Sequence, residues 1–229
     1  RALAIYANEE AVRHYGAALA MAREPHDMHG GEVSPSVLSE LVQRLGDAYE
    51  RIGKRGAAVE ALYEALALWE QTDNVTAVSG VHRQLARAEW ERGHLDIAHG
   101  HLKAGLALFA AVEPSQELVE LHLARWHMLF LSADIAGMLQ TRKELQSLVE
   151  RLPSPTNEAK LNLIASIAAL DQLDLVGARE YALCALTVAE QAQDLHSCCR
   201  AHGLLAEFAM RFGDHRSMGH HTARALDLA

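Results

Sequence analysis

A period of 40 residues runs through most of this 229-residue chain and constrains its fold more than any other feature. The segment Leu45-Gly-Asp-Ala-Tyr-Glu-Arg-Ile-Gly53 returns as Leu85-Ala-Arg-Ala-Glu-Trp-Glu-Arg-Gly93. At the same offset, one column reads Gly53, Gly93, Ala133, Leu173 and Gly213, and the next reads Lys54, His94, Asp134, Asp174 and Asp214. A small or flexible apolar column follows, with Ala58, Ala98, Met138, Ala178 and Met218. Within one unit, Val42, Leu45, Ala48, Tyr49 and Ile52 have helical spacing, and Gly53 ends that helix in a conformation open to glycine. Ala58, Val59, Leu62, Ala65, Leu66 and Trp69 then mark a second helix. Each unit is therefore expected to be a helical hairpin, and one hairpin cannot cover its own apolar face, so the units must stack.

Helix starts are marked as well. Ser34-Pro35, Glu113-Pro114 and Ser154-Pro155 are expected to place proline in a first helical turn, where its missing N–H costs nothing, and Asp194 is expected to be an N-cap. Residues 1–24 read as the second helix of a truncated repeat, because Ala11, Tyr15 and Ala18 repeat the spacing of Ala58, Leu62 and Ala65. Residues 25–35, rich in Gly, Pro and Asp, read as a loop. Five hairpins are expected at 36–72, 73–113, 114–153, 154–193 and 194–229. The chain opens on Arg inside a helical pattern, and so reads as part of a longer protein.

Leu45, Gly46, Tyr49, Ala58, Leu62 and Ala65 match the signature of the tetratricopeptide (TPR) repeat, so residues 36–229 resemble a TPR array. The third unit departs from the pattern, with Trp126 and Arg142 in columns that are elsewhere small or apolar. The long period is similar to that of arrays in bacterial signalling ATPases and maltose-regulator-type transcription activators. The resemblance implies an all-α, right-handed α-solenoid of about eleven helices. It also implies a cytoplasmic, non-catalytic sensor or scaffold region of a bacterial regulator, with first helices lining a concave groove. Partners would be a peptide, a protein or a small ligand in that groove, with no cofactor.

Composition narrows the function classes. Half the residues are hydrophobic but only 5% are aromatic, which favours helix. A net charge of −9 argues against nucleic acid or an anionic membrane as partner, and no apolar run approaches a membrane span. Three cysteines, Cys184, Cys198 and Cys199, form no framework and suggest a reducing compartment. No phosphate-binding, nucleophile-elbow, zincin or dinucleotide motif is present. Fourteen histidines invite a metal reading, but no two lie four apart as helical ligands commonly do. His82, His122 and His202 share a repeat column, where they would either pack between helices or, exposed together, sense pH.

The family register gives one inner-face column as Glu50, Trp90, Phe130, Leu170 and Met210. Another reads Asp47, Arg87, His127, Ile167 and Glu207, and a third begins Gln43, Arg83 and Leu123. The candidate groove is thus Arg83, Arg87, Trp90, His127, Phe130, Leu170 and Met210: apolar in the middle, with two arginines at one end suited to a carboxylate-bearing ligand. The helices over 121–131 and 161–170 are apolar almost all round and must be covered by something. Three readings stand side by side: an open ligand groove, a closed core, and a homodimer surface. For an enzyme, the groove would offer only the scattered His127, Asp171 and Glu207.

Overall fold

In the computed structural model, residues 2–24 and 33–228 are described. Among them lie eleven α-helices and no strand. They group into two compact units, residues 1–125 and 126–229. The first holds α1 (Ala2–Arg23), α2 (Pro35–Arg51), α3 (Arg55–Trp69), α4 (Val75–Glu91), α5 (Leu95–Ala107) and the start of α6 (Gln116–Leu131). The second holds the rest of α6, then α7 (Ile135–Arg151), α8 (Pro155–Asp171), α9 (Leu175–Gln191), α10 (Leu195–Arg211) and α11 (His215–Leu228). No helix among the described residues is long and apolar enough to cross a membrane.

The hairpin turns follow the repeat columns. Gly53, Gly93 and Gly213 have φ of +77°, +84° and +70°, and Ala133 and Leu173 adopt the same left-handed conformation at 57° and 60°. The shared turn is therefore a backbone requirement of the repeat, imposed even where the side chain opposes it. One residue on, Asp134, Asp174 and Asp214 each accept a hydrogen bond from the backbone N–H three residues later, capping α7, α9 and α11. Asp194 caps α10 in the same way through the Ser197 N–H. Ser34 and Ser154 cap α2 and α8, with Pro35 and Pro155 in the first turn. Pro114 differs from expectation. The helix starts at Gln116, so the proline lies two residues before it, outside the first turn. Of the expected loop 25–35, residues 25–32, with His26 and His29, fall outside the described residues.

Helices within a hairpin approach closely through small residues. A Cβ on Gly46 would stand 3.1 Å from Leu62 Cγ, across α2 and α3. In the first unit, Val42, Leu45, Leu62, Ala65, Val81 and Leu85 form a continuous core, joined by Leu19 of α1. In the second, one face of α9 is a seam of alanines, Ala178, Ala182, Ala185 and Ala189, each 0% exposed. The α8 helix packs against α7, α9 and α10, which buries Leu163, Ile164, Ala165, Ala168, Ala169 and Leu170. Its all-round apolar sequence is answered by neighbours on several sides rather than by an open surface.

Candidate functional site

In the first unit the candidate residues Arg83, Arg87 and Trp90 lie on α4, which with α2 supplies the first helices of two successive hairpins. Between them is a cavity of about 470 Å³ lined by Asp47, Glu50 and Arg51 of α2 and Arg83, Gln84, Arg87 and Glu91 of α4. A ladder of hydrogen bonds sets its floor. The Trp69 indole donates to Gln43 at 2.9 Å, Gln43 donates to Gln84 at 2.8 Å, and Gln84 donates to Asp47 at 2.8 Å. Burial, then the nearby Glu50, holds the Asp47 carboxyl above its usual range, against the pull of Arg87.

The two expected arginines are both engaged. Arg83 makes a bidentate pair with Glu117 of α6, at 2.6 and 3.2 Å, and Arg87 pairs with Glu50. In each pair the carboxylate is the deeper group: the side chains of Glu117 and Glu50 are 12% exposed, against 32% for Arg83 and 60% for Arg87. Largely buried carboxylates thus hold two guanidinium groups that are themselves more exposed. Arg51, also on the rim, is exposed. The sequence pointed to the arginines and missed their partners. Glu50 and Glu117 lie 37 and 34 residues away, and a register read column by column does not compare positions across it. Trp90 is half-buried, edge-on to His99 with ring centres 6.1 Å apart.

In the second unit the remaining candidates divide. Leu170 is a correction: it is 8% exposed and packs with Ala169, Ala178, Ala182, Leu205 and Phe208, so it is core and lines no groove. Phe130 is half-buried and stacks at 5.7 Å on Trp126, the bulky residue in the otherwise small column, which is itself 2% exposed. His127 is exposed, yet the packing around its ring, and then Arg200, lowers its imidazole below the usual range. Met210 is 57% exposed. A cavity of about 400 Å³ lies elsewhere in this unit, with Leu205 and Phe208 at its floor and Val176, Arg179, Leu183 and Phe212 among its walls. Sequence reasoning missed it, because its walls come mainly from second helices and a turn.

No family model matches the chain, and no curated protein matches it. Solved structures do. BtubC (BKLC) from P. vanneervenii is similar with a TM-score of 0.74 and 16% identity over 97% of this chain and 91% of that one. A Rap protein solved in complex with Competence and Sporulation Factor gives 0.70 and 15% identity over 98% of this chain, which spans 59% of the Rap chain. PilF of Pseudomonas aeruginosa gives 0.51 and 13% identity over 85% of this chain and 93% of that one. At these identities the likeness is one of fold: an α-solenoid built from TPR-type helical repeats.

Proposed function

We propose that this chain is a non-catalytic binding scaffold that holds a peptide or protein segment against the α2–α4 face of its first unit. The observation that carries the reading is the open 470 Å³ cavity, five of whose polar side chains, Asp47, Glu50, Arg83, Gln84 and Arg87, are already held by hydrogen bonds or ion pairs. Fixed donors and acceptors lower the ordering cost of binding. The mixture of Arg51, Arg83 and Arg87 with Asp47, Glu50 and Glu91 suits a segment carrying both charges and backbone amides better than a simple anion. The fold likeness to a Rap protein solved with a bound factor supports a binding role. On this reading the chain is the cytoplasmic sensor or scaffold region of a larger bacterial regulator, and occupancy biases the states of that parent.

The test is a selection of 12-residue peptides on the native chain, with affinities then measured by fluorescence anisotropy. The double variant Arg51→Ala/Arg87→Ala, checked for helicity, is expected to weaken the selected peptides at least tenfold. Unchanged affinity would contradict the site.

A second reading is self-assembly. Exposed apolar side chains cluster at hairpin turns of the second unit: Leu131 and Ile135, Leu173 and Val176, Met210 and Phe212. Such exposure is the usual mark of an interface. It favours the turn edge over the apolar first helices expected from sequence. Light scattering that finds a dimer, with Val176→Asp/Phe212→Asp a folded monomer, would support it; a monomeric native chain would dismiss it.

A further inference from the structure

Two histidine pairs stand at equivalent places in two hairpins. His82 of α4 meets His101 of α5 with Nδ1 atoms 3.0 Å apart, and His202 of α10 meets His221 of α11 with Nδ1 atoms 2.9 Å apart. In both pairs the partners are 19 residues apart, and the second pair lies three 40-residue periods after the first. The rings are similarly disposed, with centroids 5.3 and 5.2 Å apart and tilts of 42° and 37°. Each pair ties the first helix of a hairpin to the second. No third His, Cys, Asp or Glu completes a metal site with either pair among the described residues. With only two nitrogens available, the natural ligand is a proton.

We infer that the two pairs are acid-released latches, and that the His202–His221 latch frees α11 when both of its rings are charged. A neutral pair shares one Nδ1 proton, donated by one ring and accepted by the other. A first added proton goes to the outer Nε2 of the donor ring and leaves the bond in place, now charge-assisted. A second must go to the acceptor's Nδ1. Both facing nitrogens then carry hydrogen, two cations adjoin, and the rings separate.

The surroundings resist those protons. Burial and then His101 push His82 down to about 4. His101 is lowered by burial, partly opposed by Glu89 of α4, and its Nε2 meets the Tyr63 hydroxyl of α3 at 3.1 Å. Arg92, just past α4, acts on that tyrosine, and Glu117 of α6 is paired with Arg83. His202 is lowered by burial, then by Arg224 and His220 of α11, with Glu190 of α9 opposing. His221 is lowered by burial, then by His202, His220 and Arg179 of α9, with Asp214 opposing. Since these folded values lie below the ordinary histidine value of about 6.5, the latches are fully closed above it and are lost as pH falls towards the folded values.

The two hairpins differ in what remains after release. The α5 helix keeps Ala98, Leu102 and Gly105 buried, whereas no described residue of α11 is fully buried, His221 and Leu228 being only partly so. α11 therefore opens first.

The experiment follows ¹⁵N-imidazole signals and amide exchange, corrected for intrinsic rates, from pH 7.5 to 4. His202 and His221 are expected to titrate below ordinary histidine, and protection over residues 215–228 to fall at least tenfold while α9 holds. In His202→Gln/His221→Gln that fall should vanish. Independent titration of the two rings near 6.5, or an undiminished fall in the double variant, would overturn the latch. If the double variant fails to fold, the imidazole titration of the native chain decides by the same criterion.

Discussion

Leu173 shows how far the repeat overrides its own residues. It occupies the left-handed turn position at φ 60° and is 80% exposed, so it carries backbone strain with almost no packing in return. Leu173→Gly is expected to raise the unfolding free energy by about 1 kcal/mol in urea titration, since a left-handed non-glycine residue costs roughly that much. A lowered midpoint would show that the leucine packs in a way its exposure does not reveal. Lys54 offers the converse case. Its backbone, at φ −82° and ψ 63°, is close to that of the capping Asp174, at −81° and 79°, yet its side chain makes no capping bond. Lys54→Asp should cap α3 and add about 1 kcal/mol, read the same way. Both positions were legible as columns in the sequence. The left-handed backbone of the two non-glycine members was not, because propensity alone argues against alanine and leucine there.

At the scale of the element, the sequence revealed which stretches are helical and where most begin, because N-caps and periodicity are local. What each helix faces was less legible. The apolar helix over 161–170 reads first as part of an open groove, with a core or an interface as the alternatives, and the packing of α7, α9 and α10 around α8 places Leu170 in the core. The histidine pairs were hidden for a related reason. A search for ligands four residues apart examines one helix at a time, whereas His82 and His202 each meet a partner on the next helix. The alanine seam of α9 is a place where the second unit's helices pack through small, fully buried residues. Ala178, Ala182, Ala185 and Ala189 leave no space for larger side chains. Ala182→Leu is expected to cost about 1–3 kcal/mol by overpacking. Calorimetry would register this as a lower melting temperature, and an unchanged one would mean that the helices can part at no cost.

At the scale of the whole molecule, the repeat yields two compact units with different surfaces. In the first, the helix face expected to bind is a polar cavity built on paired charges. In the second, the exposed apolar side chains lie at the turns. The fold was legible because repetition multiplies a weak signal several times. The site was less so, since its character depends on which carboxylate meets which arginine across helices.

The central claim, that the α2–α4 face is where a partner sits, is tested most directly by amide-exchange footprinting of the native chain with and without a selected 12-residue peptide. The account predicts added protection over residues 43–51 and 83–91, with α9 and α11 unchanged. Protection confined to the second unit, or none at saturating peptide, would contradict it.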